Sequence, residues 1–124
     1  MARACEADRV KQEKLTDIVC VPCQGGVPPL EPDEIADYQR QTPEWTVNDV
    51  DGVSQLHRAF TFKNYEQAVN FTKAIADLAE REDHHPAILL EWGRVSVSWW
   101  THKINGLHVN DFVAAAKTDA LFTA

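Results

Sequence analysis

The chain lacks any apolar run long enough to span a bilayer, which sets aside a helical membrane-embedded protein. No secretory signal is expected at its start. Its opening, Met1-Ala2-Arg3-Ala4-Cys5-Glu6-Ala7-Asp8, is charged where such a leader needs an apolar stretch. Cysteine is scarce. The three present, Cys5, Cys20 and Cys23, all precede residue 24, and an odd number confined to one end is not a disulfide framework. Together these absences lead to the expectation of a cytoplasmic protein. Positive charge is in deficit as well: 12 Lys and Arg against 19 Asp and Glu give a formal net charge of −7. That balance argues against a nucleic-acid backbone or an anionic membrane as the main partner. Internal repeats and low-complexity tracts are missing. What remains is an ordinary globular composition over 124 residues, one domain able to bury a core without staples.

Residues 1–30 read as a weakly ordered or peripheral arm ending in Gly25-Gly26-Val27-Pro28-Pro29, a run that suits neither helix nor sheet interior. The main domain is expected over 31–124. Glu31-Pro32-Asp33 opens a short helix with Ile35, Tyr38 and Gln39 inward, and Pro43 stops it. Two strands follow, Trp45 to Val50 and Val53 to Phe62, joined at Asp51-Gly52, a strong hairpin signal. Asn64 caps a long helix to about Asp83, with an expected inner stripe of Tyr65, Ala68, Val69, Thr72, Ile75, Ala76 and Ala79. Pro86 ends that helix and pushes His85 towards an extended backbone. A second hairpin runs from Ile88 to Trp92 and from Val95 to His102. Alternation sets Val95, Val97, Trp99 and Thr101 on one face, and Ser96, Ser98, Trp100 and His102 on the other. A last helix spans about His108 to Leu121, with Val109, Phe112, Val113, Ala116 and Ala120 buried. The expected fold class is α+β: a two-layer sandwich in the order α-β-β-α-β-β-α, a four-stranded antiparallel sheet with helices on one face.

Four of the five histidines fall between Glu80 and Asp111, among carboxylates and tryptophans. Histidine gives and takes protons near neutral pH, so this concentration suggests acid–base chemistry on a small aromatic or heterocyclic substrate. The run Glu80-x-x-x-His84-His85-Pro86, then Trp92, His102 and Asp111, resembles the signature of the pterin-4a-carbinolamine dehydratases. The resemblance covers about residue 31 to the C-terminus, including Trp45 and the Phe60-Thr61-Phe62-Lys63-Asn64-Tyr65 segment.

The resemblance implies four antiparallel strands with helices on one face, no metal and no cofactor. It implies dehydration of 4a-hydroxytetrahydropterin to quinonoid dihydropterin, the step that recycles the pterin cofactor of aromatic amino-acid hydroxylases. It also suggests a homodimer or homotetramer acting on the small pterin, while the acidic balance and the missing apolar run lead to the expectation of no nucleic acid and no membrane as partner. Loss of the 4a-hydroxyl needs one proton delivered to the leaving oxygen and one removed from the adjacent ring nitrogen, work suited to two imidazoles. Carried over residue by residue, His84 and His102 are the acid–base candidates, either in either role. His85 positions the pterin. Glu80, one turn before His84, is expected to orient His84, and Asp111 to do likewise for His102. A single concave site is expected from Glu80, His84, His85, Trp100, Thr101, His102 and Asp111, with Thr101 its weakest member.

Each of these residues has a plainer reading. A His pair before Pro suits a helix C-terminus. The same histidines are also candidate zinc ligands with Glu80 or Asp111, although adjacent histidines rarely aim at one metal. Asp111 fits the first turn of any helix, Trp99 reads as core, and Trp92 as packing at a hairpin end. His57 and His108 match no catalytic position and read as surface histidines. Cys20-Val21-Pro22-Cys23 is a lone C-x-x-C, either redox pair, half a zinc site, or simply part of a tail. Two other functions compete with the dehydratase. One is a non-catalytic dimerisation or binding module on the same fold. The other is a metal-dependent hydrolase.

Overall fold

The computed structural model describes residues 14–18 and 28–123. The three cysteines, and with them the C-x-x-C motif, lie outside the described residues. The main elements are α1 (Pro32–Gln39), β1 (Thr46–Val50), β2 (Val53–Thr61), α2 (Tyr65–Glu82), β3 (Ala87–Glu91), β4 (Arg94–Trp99) and α3 (Val109–Thr123). Short 3-10 turns stand at Leu15–Asp17 and His102–Ile104. The sheet is antiparallel throughout in the order β1-β2-β4-β3, so the two hairpins join through β2 and β4 at its centre. The helices pack on one face, which makes the α+β sandwich expected from the sequence.

Local chemistry sets the boundaries. Asp51 and Gly52 both take positive φ (53° and 83°), the backbone a two-residue hairpin needs. The Asn64 side chain accepts the Gln67 N–H and starts α2. At the other end Asp83 adopts the left-handed conformation (φ 50°) and closes the helix. Continuing past Trp99, the chain makes an isolated bridge between Thr101 and Gly106, so β4 ends earlier than alternation alone suggested.

The core lies between sheet and helices. Leu56 and Phe60 of β2 and Val95, Val97 and Trp99 of β4 face Ala68, Phe71, Ile75, Leu78 and Ala79 of α2. The buried stripe of α2 is thus turned from the expected one. Phe71 and Leu78 enter it, while Tyr65 and Ala76 are exposed. On α3 burial covers nearly the whole circumference from Asn110 to Ala116, because this helix meets the sheet, α1, α2 and the first 3-10 turn together. Ala120 is exposed.

The arm expected to be peripheral is docked where it is described. Leu15 is 1 % exposed within the core cluster, and its N–H donates to the Gln41 side chain. An apolar side chain can leave water here because α3 packs over it, with Gln41, just past α1, holding its backbone. Further along, Leu30 N–H bonds the Leu107 carbonyl, and Pro29 lies so close to Gly106 that a Cβ there would come within 2.8 Å of the proline ring. Residues 28–30 therefore form a strap over the loop that carries His102.

Candidate active site

Asp111 is the centre of the site. It is fully buried at the third position of α3 and accepts three hydrogen bonds. Oδ1 meets His84 Nε2 at 2.6 Å, while Oδ2 takes the Thr101 hydroxyl at 2.8 Å and the His108 backbone N–H at 2.9 Å. The last bond, with the His108 ring accepting the Asn110 N–H at 3.1 Å, is a reciprocal cap on α3. One carboxylate therefore both starts the helix and holds the histidine. The backbone N–H can only donate, so Oδ2 is an acceptor. Where Oδ1 accepts as well, Nε2 of His84 is the donor, and the neutral ring then keeps its lone pair on Nδ1. Among the described residues Nδ1 has no partner.

His84 is fixed from two further sides. Its backbone N–H bonds the Ala79 carbonyl, and its ring stacks on Trp99 with centroids 5.4 Å apart and planes at 18°. Trp99 is itself anchored, its indole N–H donating to Thr118 on α3. That agrees with its reading as a core residue.

Several sequence expectations are corrected here. Glu80 was expected to reach His84 at the i, i+4 spacing. The left-handed Asp83 breaks the helical register between them, and Glu80 instead meets His85 Nε2 at 3.4 Å in an exposed pair. Asp111 was expected beside His102 but holds His84. Thr101, held by its bridge to Gly106, is buried where α3 begins, whereas His102 opens the 3-10 turn that follows and is exposed. Thr101 accordingly faces Asp111 and is buried rather than open to a substrate. His102 is exposed and lies against half-buried Trp100, with ring centroids 4.4 Å apart. The structure thus gathers His84, Asp111 and Thr101 by direct bonds, His85 with Glu80, and His102 with Trp100. The imidazoles of His84 and His102 rest on consecutive tryptophans, buried Trp99 at the end of β4 and half-buried Trp100 just beyond it.

His108, expected at the surface, is buried. The signal available was the His108-x-x-Asp111 spacing, that of a capping box with unusual residues in both places. His57 is half-buried and bonds Ser98 across the sheet at 3.1 Å. Trp92, at the β3–β4 turn, is 69 % exposed, so it does not pack as a hairpin-end aromatic. Among the described residues no three His, Cys, Asp or Glu side chains group as metal ligands, and no helix is long and apolar enough to cross a membrane. A separate cavity of about 300 Å³ lies between Thr16 and the last turns of α2 and α3, and none of the histidines lines it.

Comparison with known proteins shows the family. The family described as pterin 4 alpha carbinolamine dehydratase matches residues 28–121. Proteins of Chlorobium luteolum and Syntrophotalea carbinolica, each named "Putative pterin-4-alpha-carbinolamine dehydratase", are 49 % identical over 109 residues. The match takes in 88 % of this chain and 96 % and 97 % of theirs. Among solved structures, a transcriptional coactivator/pterin dehydratase from Brucella melitensis superposes with a TM-score of 0.68 at 33 % identity, over 75 % of this chain and 97 % of that one. A pterin dehydratase-like protein identified as a RuBisCO assembly factor in the alpha-carboxysome gives 0.54 at 25 % identity, over 63 % and 88 %. The chain belongs to the pterin 4 alpha carbinolamine dehydratase family, an enzyme family of the hydro-lyase class.

Proposed function

We propose that the protein dehydrates 4a-hydroxytetrahydropterin to quinonoid dihydropterin, with His84 and His102 as the proton-transfer pair. The observation that carries this reading is the 2.6 Å bond between Asp111 and His84, which commits one ring nitrogen and leaves the other to act. A histidine so held is the usual form of a general acid or base.

In the reaction the C4a–O bond breaks as a proton reaches the departing hydroxyl, which leaves as water. The N5–H proton is taken by a base, and its electron pair becomes the C4a–N5 double bond. Protons balance, since one histidine gives what the other receives. Lying across the end of β4, the pterin would meet Nδ1 of His84 on one side and the His102 imidazole on the other. His85, exposed and paired with Glu80, would position the pterin, with Trp100 offering a flat wall beside His102. Glu80 then acts through His85. We place the reaction in recycling of the pterin used by aromatic amino-acid hydroxylases, in the cytoplasm, by a homodimer or homotetramer.

The test is turnover of freshly made 4a-hydroxytetrahydropterin by wild type, His84→Ala and His102→Ala. Each variant should fold and lose about 10²- to 10⁴-fold in kcat, the range for acid–base groups. Near-normal turnover in either one would remove that residue from the pair. A second reading, a binding module on the same fold, is favoured by the description of the alpha-carboxysome neighbour as an assembly factor. It predicts no turnover by the wild type.

A further inference from the structure

Thr101 is a buried hydroxyl in a place where packing alone asks for none. It is 2 % exposed, one residue beyond Trp99 and Trp100, and Val would fill the same volume. Its backbone is pinned by an exchange with Gly106, Thr101 N–H to the Gly106 carbonyl at 2.9 Å. Its Oγ1 makes one bond, to Asp111 Oδ2. A threonine hydroxyl has a single proton. That proton is spent on the carboxylate, inside the protein, so Thr101 has nothing to donate to a substrate.

The consequence falls on His84. Oδ2 of Asp111 is held by two donors that converge from different elements, Thr101 from the end of β4 and the His108 N–H from the start of α3. With both in place the carboxylate plane cannot turn about its Cβ–Cγ bond without giving up one of them. Oδ1 is thereby aimed, and His84 Nε2 lies on that aim at 2.6 Å. With the hydroxyl removed, Oδ2 keeps one donor and the carboxylate is free to swing. We propose that Thr101 is a positioning residue of the reaction: through Asp111 it keeps the proton of neutral His84 on Nε2 and presents Nδ1 to the pterin. The same residue immediately precedes His102, so its pinned backbone also places the second histidine. This inference rests on the dehydratase reading for its kinetic consequence, though not for its geometry.

The experiment compares wild type with Thr101→Val, which keeps the shape and removes the hydroxyl, and Thr101→Ser, which keeps the hydroxyl. Turnover of 4a-hydroxytetrahydropterin is measured beside the NMR signal of the His84 ring N–H, identified by its absence in His84→Gln. Thr101→Val should lower kcat about 10- to 100-fold with KM little changed, the scale of a misaligned catalytic group, and should lose or broaden the ring N–H signal. Thr101→Ser should keep both. Wild-type kcat with an intact ring signal in Thr101→Val overturns the proposal. If the valine variant does not fold, Thr101→Ser decides: a large fall in its kcat with an unchanged melting temperature also overturns it. Were the wild type itself inactive on the carbinolamine, the dehydratase reading would fail, and the ring signal alone would still decide whether Thr101 positions His84.

Discussion

Asp111 and His84 meet at 2.6 Å although one opens the last helix and the other follows the C-terminus of the long one. The carboxylate lies behind the ring, shielded from water, with its other oxygen satisfied by Thr101 and His108. Asp111→Asn should be the most damaging conservative change in the molecule. An amide has one acceptor oxygen for three donors, so it must either drop His84 or face it with the wrong group. Turnover should fall about 10²- to 10⁴-fold, the loss expected when a catalytic histidine is misoriented. The melting temperature should fall too, since the cap on α3 loses a charge-assisted acceptor. Asparagine with full activity would show that His84 needs no orienting carboxylate.

Gly52 and Gly106 separate strain from crowding. Gly52 has φ 83° with open space around its Cβ position, so Gly52→Ala costs only backbone strain, about 1 kcal/mol. Gly106 is different. A Cβ there would press on Pro29 at 2.8 Å, against a strap held by the Leu30–Leu107 bond. Gly106→Ala should cost about 1–3 kcal/mol, as overpacking does. It should also slow turnover, because the displaced loop carries His102. Gly52→Ala should leave turnover alone. Equal kinetic effects from both would show that the strap does not matter to the site.

The contrast between what was and was not legible in the sequence follows the same physics. Asp51-Gly52, Asn64 and the alternation of β4 act locally, and the structure keeps all three. The phase of the α2 stripe was less secure: Tyr65 and Ala76 lie only a small rotation from the buried line, and tertiary packing chose Phe71 and Leu78 instead. Which carboxylate meets which histidine was harder still. Glu80 to His84 looked like a helical neighbour pair, but a single left-handed residue, Asp83, intervenes. Asp111 to His84 joins elements whose approach no local pattern encodes. His108 went unread because histidine is a rare helix cap.

Leu15 tests how far the arm belongs to the fold. It is buried among core side chains and its N–H is taken by Gln41. Leu15→Ala should cost about 2–5 kcal/mol of stability, the usual range for a core leucine. The kcat of the folded fraction should not change, since the bonds of Leu15 run to Gln41 and Ile18 and not to the candidate catalytic residues. A drop in kcat at a temperature well below melting would show that the arm reaches the site.

Asp119 supplies the pH prediction. Burial raises its carboxyl above the ordinary value of 3.8, against the opposing pull of the Trp45 indole N–H and the Arg58 guanidinium. Both partners bond the same oxygen, Trp45 Nε1 at 2.8 Å and Arg58 at 2.7 Å. A carboxyl that titrates higher folded than unfolded holds its proton more tightly in the folded state. Its contribution to stability is therefore complete below 3.8 and is lost as pH rises through the raised folded value. Asp119→Asn removes that titration while keeping an oxygen for both donors. The unfolding free energy of wild type minus that of Asp119→Asn should therefore fall as pH climbs from the ordinary carboxylate value to the raised one, and stay level above it. Denaturant unfolding of both proteins across that window measures the difference directly. A difference that grew with pH would mean that Arg58 outweighs burial at this site and that the shift has the opposite sign.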